Sequence, residues 1–170
     1  MRKNIIITGF MGAGKSVVAK ELARKLKMEF IDMDRIIEER QGTSIVDIFA
    51  RYGEKYFREQ ENKLVKELSK EENKVIATGG GTLLSSDNAR MLGQTGEIVS
   101  LYADSQTIYN RVKRRNSRPL LKGENVLSKI NHLLEERKKV YNNFTIKIDT
   151  TNLSIQEVTD RIIALLKSEG

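Results

Sequence analysis

The sequence predicts a three-layer α/β domain built on a mainly parallel sheet. Five short apolar, β-branched runs alternate with segments of helical periodicity. A glycine-rich loop, Gly9-Phe10-Met11-Gly12-Ala13-Gly14-Lys15-Ser16, stands between the first run and the first helical segment. The chain has 170 residues, without repeats, low-complexity tracts or linker-like composition, which makes it one domain over 1–170.

The first run, Asn4-Ile5-Ile6-Ile7-Thr8, suits a strand buried on both faces. After the loop, Val17, Val18, Leu22, Ala23 and Leu26 recur at helical spacing. The loop itself reads G-x-x-x-x-G-K-S, a phosphate-binding pattern in the strand–loop–helix context it requires. Glycines let successive N–H groups turn inward on a phosphate, and the helix that follows adds its positive end. Lys15 is placed to reach the β and γ phosphates, and the Ser16 hydroxyl is a hard oxygen ligand suited to Mg²⁺.

Glu29-Phe30-Ile31-Asp32-Met33-Asp34 reads as a second strand, whose alternation sends Asp32 and Asp34 to one side at its carboxyl end, where open α/β sheets bind ligands. One carboxylate can then hold Mg²⁺ through water, and the other can take a proton from a substrate hydroxyl. The plainer alternative is that one or both cap the helix over 35–40. Ile45, Ile48, Phe49 and Tyr52 give a helix over 44–53, and a longer one opens at Glu54 and runs to about Glu71. On it Arg58 and Glu61 share a face, either as a carboxylate clamp held by an ion pair or as a solvated salt bridge.

Lys74 to Thr78 is the third strand and runs into Gly79-Gly80-Gly81, the mark of a tight turn or of a close backbone approach to a ligand. A short helix over 86–92 and a strand over 96–102 follow. The next helix begins near Asp104 and enters a basic stretch, in which five of the eight residues from Arg111 to Arg118 are Arg or Lys. Pro119, the only proline, ends it. Such a run is a solvated face, a nucleic-acid patch or the mobile arginine-bearing cover of a phosphoryl-transfer site. No aromatics are interleaved for base stacking. A helix from Glu124 to about Tyr141 puts Arg137 and Tyr141 on one face. The fifth strand is Thr145 to Asp149, and Ser154 with Glu157 forms a capping box for the last helix.

Composition excludes much. There is no cysteine, so thiol catalysis and iron–sulfur clusters are impossible, and the single His132 reads as a surface helix residue. The net charge of +7 fits an anionic ligand, which the phosphate loop already requires. No apolar run approaches the roughly 20 residues of a membrane span. The expectation is a soluble, cytoplasmic monomer that engages neither nucleic acid nor membrane.

The motifs together resemble shikimate kinase: Gly9 to Ser16, Asp32-Met33-Asp34, Phe57-Arg58-Glu59-Gln60-Glu61, Gly79-Gly80-Gly81, Arg118-Pro119-Leu120-Leu121 and Arg137-Lys138-Lys139-Val140-Tyr141, in the family's order over almost the whole chain. The resemblance implies ATP-dependent, Mg²⁺-assisted phosphorylation of the shikimate 3-hydroxyl on the way to chorismate and the aromatic amino acids. It implies a nucleoside monophosphate kinase-like fold with sheet order 2-3-1-4-5, a substrate-binding segment over 34–61 and a lid over 112–124. It makes Lys15, Asp34 and Arg118 catalytic, with Asp34 as the base. It assigns Asp34, Arg58, Gly79, Gly80, Gly81 and Arg137 to shikimate, and the two arginines to its carboxylate. It assigns Gly12, Ala13, Gly14, Lys15, Ser16, Val17, Arg111 and Arg118 to ATP, with Arg111 stacked on adenine. Ser16, and Asp32 through water, hold the magnesium. Two positions depart from the family pattern: Val17 stands where threonine is common, and Ile155 where a proline often precedes the last helix. The rival readings are another small-molecule kinase, such as a gluconate kinase, and a nucleotide- or RNA-binding protein without turnover.

Overall fold

The computed structural model describes residues 3–114 and 125–168. Five strands form one sheet: β1 (Asn4–Gly9), β2 (Glu29–Asp32), β3 (Lys74–Ala77), β4 (Gly96–Tyr102) and β5 (Ile146–Asp149). All pairings are parallel and the order is β2-β3-β1-β4-β5, as the family resemblance implied. Parallel neighbours cannot be joined by tight turns, so helices make the connections. These are α1 (Lys15–Leu26), α2 (Met33–Gln41), α3 (Ile45–Leu68), α4 (Ser86–Gly93), α5 (Ser105–Lys113), α6 (Val126–Asn142) and α7 (Ile155–Ser168).

The strand alternation of β1 explains the layers. Ile5 and Ile7 pack with Val18 and Leu22 of α1 and with Val158 and Ile162 of α7. Ile6 points the other way and packs with Ile37 of α2, Phe57 and Leu64 of α3 and Leu92 of α4. All six residues of β1 are buried, as a central parallel strand requires. A third apolar cluster, Phe10, Met11, Ile108, Val112, Ile130 and Tyr141, joins the phosphate loop to α5 and α6 at the carboxyl end of the sheet. The site is built at that end.

Several element boundaries differ from the sequence expectation. β2 stops at Asp32, not Asp34, because the Asp32 side chain accepts the Arg35 N–H at 3.3 Å and caps α2. Asp34 therefore lies in the first helical turn, and strand alternation does not set its direction. The long helix ends at Leu68, a few residues before Glu71. The two helices expected on either side of residue 53 are as read: within α3 they meet at Gly53, whose φ of 80° and ψ of 173° break the helical path. The capping box at the start of α7 is as read: the Ser154 N–H donates to Glu157 Oε2 at 2.8 Å, and the Glu157 N–H to Ser154 Oγ at 3.2 Å. His132 is exposed on α6, 3.6 Å from Glu136.

Nothing lies within 4 Å of where a β-carbon at Gly53 would stand, so substitution there tests backbone strain alone. Gly53→Ala is expected to lower unfolding free energy by about 1–3 kcal/mol, the cost of a non-glycine residue in this region. Urea denaturation checks it; an unchanged midpoint would mean that the kink relaxes without loss.

Candidate active site

The phosphate loop leaves the sheet at Gly9, where a methyl group would stand 2.1 Å from the Leu101 carbonyl oxygen of β4. Gly14 caps α1 in a left-handed conformation, φ 99°, with no side chain bonded to the first-turn N–H groups. Those donors and the helix dipole face the loop's hollow, an arrangement suited to an anion. Lys15 is buried to 7% exposure and donates from Nζ to the Phe10 carbonyl at 3.1 Å. Ser16 is exposed beside it.

This hollow opens into a cleft of about 380 Å³. Among the residues that line it are the cations Lys15, Arg111 and Arg114 and one carboxylate, Asp34. The balance attracts a polyanion while keeping one base at its edge. Arg111 spans the floor: Nη1 donates to the Gly12 carbonyl at 3.2 Å and to Thr150 Oγ1 at 3.1 Å, and Nη2 to the Thr150 carbonyl at 2.8 Å. The Thr150 hydroxyl in turn reaches the Ala13 carbonyl at 3.0 Å. Val17 and Ile155 are 40% and 44% exposed and line the cleft with Leu153, an apolar wall of the kind a purine ring covers. The two departures from the family pattern thus keep this wall apolar.

On the other side of Asp34 the turn Gly79-Gly80-Gly81 gathers charged side chains. A β-carbon at Gly79 would stand 2.7 Å from Glu61 Oε1 and 2.8 Å from Asp34 Oδ1, and one at Gly81 would stand 2.6 Å from Arg58 Nη2. Only glycine admits both approaches. Glu61, 1% exposed, accepts from Arg58 Nη1 at 2.6 Å and from Thr82 Oγ1 at 2.6 Å. Arg58 also meets Glu54 at 3.1 Å. Burial works to lower the Arg58 pKa, but the charges and hydrogen bonds of Glu61 and Glu54 outweigh it and leave the group above its ordinary value. The guanidinium is therefore charged at any working pH. Arg137, 7% exposed, donates to the Gly80 carbonyl at 3.4 Å, and the Tyr141 hydroxyl donates to the same oxygen. Burial raises the Tyr141 pKa, with the Arg137 charge and hydrogen bond opposing it, so Tyr141 acts as a neutral donor.

The structure thus brings together Lys15, Ser16, Asp34, Arg58, Gly79, Gly80, Gly81, Arg111 and Arg137 around one cleft and its flank. Asp32 stands apart as the α2 cap and is not among the side chains lining the cleft. Arg118 and most of the expected lid, residues 115–124, lie outside the described residues. Sequence reasoning missed Thr82 and Thr150. Thr150 follows β5 at the sheet's carboxyl end, a position that could have flagged it; a lone threonine after the triple glycine carries no comparable signal.

A family model described as shikimate kinase matches residues 11–167. The shikimate kinase of Pelotomaculum thermopropionicum is 44% identical over 99% of this chain and 98% of that protein. That of Thermus thermophilus is 42% identical over 95% of this chain and 89% of that protein. Among solved structures, the shikimate kinase of Acinetobacter baumannii in complex with shikimate superposes with a TM-score of 0.95 at 35% identity, covering 99% of this chain and 95% of that one. A gluconokinase from Sinorhizobium meliloti gives a TM-score of 0.58 at 17% identity over 100% of this chain and 99% of that one, a likeness of fold alone.

Gly81→Ala tests the turn directly, because its methyl would fall 2.6–2.8 Å from three atoms of a guanidinium pinned by Glu61. Affinity for a carboxylate-bearing acceptor is expected to fall at least about tenfold, roughly 1.4 kcal/mol, with melting temperature little changed. Calorimetric titration beside thermal unfolding separates the two effects. Undiminished affinity would show that Arg58 moves aside without consequence.

Proposed function

The chain belongs to the shikimate kinase family, and we propose on that premise how its own residues transfer the γ-phosphoryl group of ATP to the 3-hydroxyl of shikimate, giving shikimate 3-phosphate and ADP, a step in chorismate and aromatic amino acid biosynthesis. The observation that carries the residue assignment is the position of Asp34. It lines the phosphate cleft on one side and stands against the Gly79 turn on the other. The next two residues of that turn touch the arginines: Gly81 meets Arg58, and Gly80 accepts from Arg137.

Shikimate is a small polyol bearing one carboxylate. Arg58 and Arg137 grip that carboxylate, and the backbone of Gly79 to Gly81 lets the ring approach closely. Asp34 orients the 3-hydroxyl and takes its proton as the oxygen attacks the γ-phosphorus and the bond to the β,γ-bridging oxygen breaks. Phosphoryl transfer of this kind rests on alignment and charge stabilisation. Lys15 and the open N–H groups at the start of α1 supply the charge stabilisation. Gly12, Ala13, Gly14 and Val17 shape the phosphate and base contacts, and Arg111 closes the nucleotide side. A purine bound along Val17, Leu153 and Ile155 lies beside its guanidinium plane.

The Ser16 hydroxyl borders the cleft and fits magnesium; Asp32, the α2 cap outside the cleft lining, would reach the ion only through water. When bound, Mg²⁺ neutralises charge on the β and γ phosphates. The segment 34–61 serves the acceptor. The enzyme works as a cytoplasmic monomer whose ligands are ATP and shikimate, with neither nucleic acid nor membrane involved; both substrates are small anions, which accounts for part of the +7 charge. A gluconate kinase reading is weaker, since the likeness to a gluconokinase is one of fold.

The test is ADP release with ATP and Mg²⁺ in the presence of shikimate, gluconate or nucleoside monophosphates in turn. Strong stimulation by shikimate alone is expected; stimulation by gluconate alone would overturn the acceptor assignment. Asp34→Asn is expected to lower kcat by at least about 10²-fold, the range of general-base catalysis, with ATP affinity little changed. Turnover within a few-fold of wild type would remove Asp34 as the base. Arg58→Ala is expected to raise the KM for shikimate far more than it lowers kcat, and a normal KM would remove Arg58 from the clamp.

A further inference from the structure

The two arginines of the clamp are held in opposite ways. Arg58 is met by Glu61 at 2.6 Å and Glu54 at 3.1 Å, so carboxylates already balance its charge. Arg137 is more deeply buried, at 7% exposure, yet among the described residues no carboxylate lies within salt-bridge range of it. Its neighbours include the Gly80 carbonyl at 3.4 Å, the Tyr141 side chain and the ring of Phe10, whose centroid is 5.6 Å from the guanidinium carbon. A buried guanidinium without a counter-ion is costly, and the usual remedy is a carboxylate. An aromatic face offers another remedy. Its quadrupole attracts the cation and fixes its plane, yet it carries no net charge to cancel.

Phe10 is well placed for this. It is 1% exposed and wedged among Ile108, Val112, Ile130 and Tyr141, so the ring cannot swing away. Its backbone is fixed by the phosphate loop, the carbonyl accepting from the Ala13 N–H at 3.1 Å and from Lys15 Nζ at 3.1 Å. The loop pattern G-x-x-x-x-G-K-S leaves this position free, so phosphate binding does not require an aromatic there.

We propose that Phe10 is a positioning residue for the acceptor. Its ring aims the Arg137 guanidinium at the substrate carboxylate and, unlike an acidic partner, leaves that charge for the substrate to neutralise. The proposal rests on the reading that shikimate's carboxylate lies against Arg137. It makes one residue serve both halves of the reaction, the backbone of Phe10 on the phosphate side and its ring on the acceptor side.

The test is a double-mutant cycle in the full chain with Phe10→Leu, which keeps apolar volume and removes the π face, and Arg137→Met. KM for shikimate, KM for ATP, kcat and melting temperature are measured for all four proteins. Phe10→Leu alone is expected to raise the shikimate KM by about three- to tenfold, the range of a desolvated cation–π contact, with ATP KM changed less than twofold or so. In the Arg137→Met background the same substitution should leave the shikimate KM where Arg137→Met put it. An unchanged shikimate KM in Phe10→Leu overturns the proposal. So does an equal rise in both backgrounds, which would mean that Phe10 acts by packing alone. If Arg137→Met itself leaves the shikimate KM unchanged, the clamp reading falls, and this inference with it. Should Phe10→Leu not fold, Phe10→Met replaces it and is judged by the same outcomes.

Discussion

The missing β-carbons at Gly79 and Gly81 are the constraint on which the acceptor side depends. Side chains from four elements converge there. Asp34 comes from α2, Arg58 and Glu61 from α3, Thr82 from the 3₁₀ turn over 82–84, and Arg137 and Tyr141 from α6. A carboxylate and a guanidinium approach the turn to within the distance at which any side chain would collide with them. The turn's carbonyl at Gly80 then serves as the common acceptor for α6. Backbone stripped of side chains thus acts as a hub, and the helices are positioned by what they can reach on it. A second close approach, at Gly9 beside Leu101, lets the phosphate loop depart from the sheet next to this hub.

Buried charge is handled differently in the two halves of the site. In the phosphate half, Lys15 rests on a backbone carbonyl and Arg111 on carbonyls and a hydroxyl, so their hydrogen bonds are met while their charge is not cancelled by those partners. In the acceptor half, Arg58 is held by Glu61, which itself needs the Thr82 hydroxyl to satisfy its other oxygen. Thr82 is in turn fixed through its carbonyl by Asn88, which accepts from Asn62 on α3. A hydrogen-bonded chain of this kind holds a charged group in one orientation, which matters more for a reaction governed by alignment than its net contribution to stability does.

Much of this was legible in the residues. The phosphate loop was readable because its glycines, lysine and serine follow a fixed spacing between a strand pattern and a helix pattern. The kink at Gly53 was readable because a glycine separates two runs of helical periodicity. The strand order came from the family resemblance, since the spacing of apolar runs says nothing about which strand lies beside which. Asp34 was picked out by strand alternation, which does not apply to it: the cap made by Asp32 turns the chain into a helix two residues earlier than alternation suggested. Thr82, Thr150 and Phe10 were not picked out from the sequence, although the place of Thr150 after β5 could have flagged it. Their importance comes from contacts to residues 21, 137 and 127 positions away, respectively, and no local pattern records such partners.

The central place of β1 in the sheet also bears on how the chain reaches this fold. Ile5 to Ile7 are made well before their partners: Ile5 aligns with Val75 on one side and Glu97 on the other. Until β4 has emerged, the most apolar segment of the chain has at least one open edge and no complete cover. Long-range parallel pairing of this kind is slow and leaves such segments available for wrong association. The stretch that is most deeply buried in the finished sheet is therefore open to wrong association while the chain is incomplete. Residue Asn4, whose side chain is wholly buried against the Glu71 carbonyl and the Lys74 N–H, serves as the latch that ends that exposure on the β3 side.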